Sequence, residues 1–76
     1  MGEHDRIRWR CRRGLLELDL ILKRFLERRF DGLNERERWL FDELLDVPDN
    51  DLLDMALGRL EPEPRHQAVM EMLRAG

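Results

Sequence analysis

Seventy-six residues enclose one core, so residues 1–76 are expected to form a single domain, and folding at that size buries only about 60% of the surface the unfolded chain exposes. Charged residues are 41% of the chain and hydrophobic ones 42%, a balance too apolar for disorder, and no apolar run approaches the length of a membrane span or a secretory signal. The chain has no Ser, Thr or Tyr and one cysteine, which excludes hydroxyl nucleophiles, an intrachain disulfide and a Cys-rich zinc site.

The net charge of −3 conceals an asymmetry: residues 1–30 hold nine basic and five acidic side chains, and residues 31–76 hold five basic and twelve acidic ones. Thirteen of the fourteen basic residues are Arg, the side chain suited to bidentate carboxylate pairing and to interfaces. Glycine and proline cut the chain at Gly14, Gly32, Pro48, Gly58 and Pro62-Glu63-Pro64 into five segments of two to four helical turns each. Fifteen leucines against four β-branched residues favour helix throughout, predicting an all-α, small five-helix bundle.

The first segment is ambiguous. Arg6-Ile7-Arg8-Trp9-Arg10-Cys11-Arg12 alternates as a half-buried strand does, but the chain offers no second strand to satisfy its backbone groups. As a helix, Ile7, Cys11 and Leu15 or Leu18 continue one stripe, and helix is the prediction. In the second segment Leu15, Leu18, Ile21, Leu22, Phe25 and Leu26 form an apolar arc, leaving Leu16 and Leu20 on its flank. The third opens with Asn34 and Glu37 at capping-box spacing, and Leu40, Phe41, Leu44 and Leu45 supply its buried stripe. Trp39 falls outside that stripe. The fourth runs from Asp49 through Leu52, Leu53, Ala56 and Leu57 to Gly58 as a left-handed cap. The fifth starts at Pro64 and presents Ala68, Val69, Met72 and Leu73 as its apolar face.

Chemistry-bearing groups are few. His4 and Cys11 as a thiol–imidazole pair on one helix would stand about 10.5 Å apart along the axis, beyond hydrogen-bond reach. His4 and His66 read as solvated surface residues, with no metal site, and no enzyme is expected. Five arginines between positions 6 and 13, with Trp9 among them, admit two readings: phosphates and a stacked base of a nucleic acid, or carboxylates of the acidic second half. Overall acidity and the absence of a nucleic-acid motif favour the second.

Arg13-Gly14-Leu15-Leu16-Glu17 is the most informative stretch. Gly14 as a cap and Glu17 in the first helical turn explain part of it. A basic–acidic pair at a glycine corner beside exposed leucines equally suits docking of another protein, and residue patterns leave both readings open.

Residues 6–19, with Arg13, Gly14 and Glu17 matching an Arg-Gly-x-x-Glu motif followed by Leu18-Asp19, resemble the succinate dehydrogenase flavin-assembly factors, the SdhE/YgfY family. The resemblance continues through Phe25-Leu26-Glu27, Phe30-Asp31, Leu33, Glu37, Phe41, Leu44-Leu45 and Asp51-Leu52, and weakens after about residue 58. Relatives often carry Trp where this chain has Met55. The resemblance implies a five-helix protein that binds the apo flavoprotein subunit of succinate dehydrogenase, or of fumarate reductase, and promotes covalent attachment of FAD. Attachment requires a client histidine to be aligned with the methyl carbon of the isoalloxazine ring, a task of positioning. The partner-binding residues implied are Arg13, Gly14 and Glu17, with Trp9, Arg12 and Asp19 beside them. No stably bound FAD is expected, since the chain lacks a Gly-rich dinucleotide fingerprint. A bacterial cytoplasm is the expected location, with no membrane partner. A small RNA-binding or regulatory protein and an antitoxin-like partner are the alternatives.

With Arg13 and Glu17 taken as exposed charges, replacing either with Ala is expected to cost only about 0.5–1 kcal/mol of stability.

Overall fold

The computed structural model describes residues 2–76, with the backbone alone at Glu3 and His4. The chain forms five α-helices: α1 (Glu3–Arg10), α2 (Leu16–Arg28), α3 (Glu35–Leu44), α4 (Asp49–Ala56) and α5 (Gln67–Ala75). Short 3-10 turns, Phe30–Gly32 and Pro64–His66, lead into α3 and α5. No strand occurs among the described residues, and none of their helices is long and apolar enough to cross a membrane. The alternating arginine segment is helical through Arg10, as the absence of a pairing strand requires, with Cys11 as the C-cap and Arg12 beyond the helix.

Helix α2 lies at the centre, against α4 and α5, and α5 also packs on α3 and α4. Leu18, Leu22, Phe25 and Leu26 of α2 meet Leu40, Phe41 and Leu44 of α3, Leu52 and Ala56 of α4, and Val69, Met70 and Leu73 of α5 in one core. Phe25 and Phe41 stand 4.8 Å apart between ring centroids, with Phe30 on the other side of Phe41 at 6.2 Å. Each fully buried side chain of this kind stabilises the fold by roughly 1.5–3 kcal/mol.

The capping box of α3 forms as spaced: Glu37 N donates to Asn34 Oδ1 at 2.8 Å, and Asn34 N donates to Glu37 Oε1 at 2.9 Å. Gly58 closes α4 with φ +80°. Three local expectations shift. The N-cap of α2 is Leu15, one residue beyond Gly14. The 3-10 turn ahead of α5 rotates that helix, so its buried face is Val69, Met70 and Leu73, with Ala68 exposed and Met72 half-buried. Leu57 sits at the C-cap of α4, where the helix has ended, and is exposed.

His66 is not a surface residue. It is buried, and its Nε2 lies 2.7 Å from Glu43 Oε1, a carboxylate that Arg65 also reaches at 3.0 Å. The His4 side chain, half of the thiol–imidazole pair considered above, lies outside the described residues.

The two charge halves of the sequence meet across α1 and α3. Arg6 pairs with Asp42 at 3.3 Å, and Arg10 reaches both Asp42 and Asp46. Burial opposes the charge on Arg10, but hydrogen bonds from Asp42 and Asp46 and their attraction outweigh it and raise its pKa above the ordinary arginine value. The spacing of three or four residues puts Arg6, Arg10 and Arg13 on one side, facing the acidic half.

Candidate functional site

Between α1 and α2 the chain turns through residues 11–15. Cys11 ends α1, and Gly14 takes φ +84°, a backbone conformation that costs a side chain-bearing residue free energy and glycine almost none. A Cβ built on Gly14 would meet nothing within 4 Å, so the glycine is required by the chain's direction and not by crowding.

Two side chains hold this corner from within. Asp19, in the first turn of α2, reaches back so that Oδ1 accepts from Arg13 N at 2.8 Å and Oδ2 from Gly14 N at 3.2 Å. Arg13 points the opposite way, into the junction of α3 and α4. Its Nε donates to Asp49 Oδ1 at 2.6 Å, its Nη1 to the carbonyls of Leu45 at 2.7 Å and Arg10 at 3.1 Å, and its Nη2 to the carbonyl of Val47 at 3.1 Å. Leu45 and Val47 are among the residues where α3 has stopped and its carbonyls have no helical partner.

The expectation that Arg13 is an exposed charge therefore fails. Its side chain is only 15% exposed, and its donors are committed within the chain. Asp19 is likewise turned onto the corner's own backbone. The reason is sequence distance: apart from the Arg10 carbonyl, the groups that claim Arg13 lie 32–36 residues downstream, where no local pattern refers to them.

The other expected site residues face outward. Glu17 is exposed and makes no ion pair with a described residue, and Gly14 is exposed. Leu16 and Leu20, four residues apart on α2, are 77% and 57% exposed and share a face. Trp9 is 65% exposed, and the Arg12 guanidinium stacks 5.6 Å from its ring centroid. A groove of about 820 Å³ separates the two sets, with Arg8, Cys11 and Arg12 on one side and Leu20, Lys23 and Glu27 on the other. Burial pushes the Cys11 thiol up to about 12, with Arg13 and Arg10 pulling against it, so the thiol stays protonated at neutral pH. No group of three or more His, Cys, Asp or Glu is placed to hold a metal ion among the described residues.

Residues 5–76 match the family described as flavinator of succinate dehydrogenase. The chain belongs to this family. Among curated flavinator relatives, the FAD assembly factor SdhE of Coxiella burnetii is 52% identical over 58 residues, covering 76% of this chain and 71% of that protein. The protein of the same name from Ralstonia nicotianae is 44% identical over 75 residues, 92% of this chain and 79% of the relative. That of Legionella pneumophila strain Lens is 39% identical over 72 residues, 95% and 91%. The resemblance read from the Arg-Gly-x-x-Glu motif is thereby confirmed, and it extends to the end of the chain, past the point where the motifs weaken.

Sequence reasoning missed Arg8, Lys23 and Glu27 as neighbours of the motif. A signal was present: Leu16, Leu20, Lys23 and Glu27 recur at steps of four, three and four, the spacing of one helix face. Trp39 is exposed, and nothing in the structure explains it.

Proposed function

We propose that this chain promotes covalent attachment of FAD to the flavoprotein subunit of succinate dehydrogenase by docking on that subunit and holding it in a reactive arrangement. The names of its relatives supply the process. The observation that carries the mechanism is the corner, where Arg13 and Asp19 are spent inside the fold so that Gly14, Leu16, Glu17 and Leu20 stand outside on a fixed backbone. A surface already ordered before binding loses little conformational freedom on docking, so more of its contact energy appears as affinity.

The chain's own groups suit positioning rather than covalent participation. Its one thiol is buried and protonated, and its one lysine lies on an open helix face. Apolar contact by Leu16 and Leu20 supplies area, and the exposed Glu17 carboxylate supplies direction, since a client cation or amide opposite it fixes the angle of approach. Alignment of a client histidine with the flavin then raises the rate by making an encounter unimolecular.

The test is covalent flavin itself. Denatured flavoprotein from cells lacking this chain is expected to lose ultraviolet flavin fluorescence, regain it with the wild-type chain, and fail to regain it with a folded Glu17→Ala variant. Normal covalent flavin in the deletion refutes the proposal.

A further inference from the structure

The arginines of α1 and of the corner after it are divided between two sides. Arg6, Arg10 and Arg13 turn to α3 and α4 and are matched there by Asp42, Asp46 and Asp49. Arg8 and Arg12, four residues apart, line the groove between α1 and α2 instead. Lys23 lines it from α2. None of these three cations makes an ion pair with a described residue.

The acidic residues around the groove offset them only in part. Asp31 is engaged by a neighbour. Asp19 accepts from the two backbone amides of the corner, which are neutral and leave its charge in place, and Glu27 makes no ion pair with a described residue. A chain with net charge −3 thus presents one groove where three cations outnumber the carboxylates of Asp19 and Glu27, over a floor that includes Cys11, Leu20 and Leu26.

Resting on the docking reading above, we propose that this groove receives an acidic, amphipathic segment of the client flavoprotein, with its carboxylates between Arg8, Arg12 and Lys23 and its apolar side chains on Leu20. Two observations favour a peptide over a phosphate group. The N–H groups of Arg13 and Gly14, which would otherwise cradle an anion at the corner, already donate to Asp19. Exposed apolar side chains also stand outside the groove lining, Leu16 on α2 and Trp9 on α1, which a peptide's side chains can use and a phosphate group cannot.

The experiment titrates the apo flavoprotein subunit with wild-type chain, Arg8→Glu and Lys23→Glu at low and high salt, and titrates free FAD in parallel. Each reversal replaces attraction with repulsion, so each is expected to weaken the wild-type complex by about tenfold or more at low salt and to flatten its salt dependence. Both sites are exposed, and unchanged melting of the variants confirms that the fold is intact; Arg8→Gln and Lys23→Gln, expected to show a smaller loss in the same direction, stand in for any reversal that unfolds. Wild-type binding with unaltered affinity in the variants overturns the groove and leaves the docking reading standing. Absence of a wild-type complex overturns both. Tight binding of FAD alone that Lys23→Glu abolishes assigns the groove to a small anion and overturns the peptide.

Discussion

Removing the Arg13 guanidinium should unfold this protein before it disables any docking surface. In Arg13→Ala the carbonyls of Arg10, Leu45 and Val47 lose their charged donors and Asp49 loses its partner. A hydrogen bond to a charged group contributes about 1.5–3 kcal/mol, but the four are not independent and water can reach part of the site. Asp49 is 39% exposed, so its ion pair adds little beyond the hydrogen bond. The net loss is about 2–3 kcal/mol, several times the cost expected for an exposed charge at a helix start. For a domain this small, each kcal/mol lowers the melting temperature by roughly 4–8 °C, so a fall of roughly 10–20 °C is expected by circular dichroism. Arg13→Lys keeps a charge near Asp49 but cannot span four acceptors, and should recover less than half of the loss. Flavinylation by Arg13→Ala should track the folded fraction and return on cooling, whereas Glu17→Ala should melt only a few degrees below wild type and stay inactive at every temperature. An Arg13→Ala variant that melts within about 2 °C of wild type refutes the clamp.

Gly14→Ala fits sterically but must hold a positive φ, and urea unfolding should register a loss of about 1–2 kcal/mol. Gly14→Arg adds a long side chain at the exposed corner and should abolish flavoprotein binding in a pull-down at temperatures where the variant is folded. Burial raises the Cys11 thiol from its ordinary 9.0 in the unfolded chain to about 12 in the folded one, so its contribution is complete below pH 9 and is lost as pH rises toward 12. Alkaline unfolding should be steeper in wild type than in Cys11→Ala, and iodoacetamide at neutral pH should label Cys11 only as fast as the chain opens; rapid labelling of the native protein contradicts its burial. Asn34→Ala removes one arm of the capping box and should cost about 1 kcal/mol by urea unfolding, with no change in client binding.

What could be read from the sequence follows the distance between interacting residues. Asn34 and Glu37 are one helical turn apart, so their pairing is written in adjacent letters. The leucine stripes of α2 and α3 are periodic and appear where expected. The general pairing of a basic front half with an acidic back half was legible as charge asymmetry. The assignment of particular arginines was not, because it depends on how α1 lies across α3 and where α3 releases its last carbonyls. The motif was recognisable as letters while its division of labour was hidden: Arg13 and Asp19 build the corner, and Glu17 remains outside it. His66 was misjudged for the same reason, its carboxylate partner being 23 residues earlier on another helix.

The reach of Arg13 to Leu45, Val47 and Asp49 has a consequence for timing during synthesis. The ribosome delivers the Arg-Gly-x-x-Glu letters early, but the acceptors that set Arg13 in place are more than thirty residues behind. A nascent chain that has emerged only as far as residue 40 carries the whole motif and lacks the corner. For the same reason a synthetic fragment copying residues 6–20 is not a miniature of this surface. The ordered corner arrives with the α3–α4 junction, late in translation.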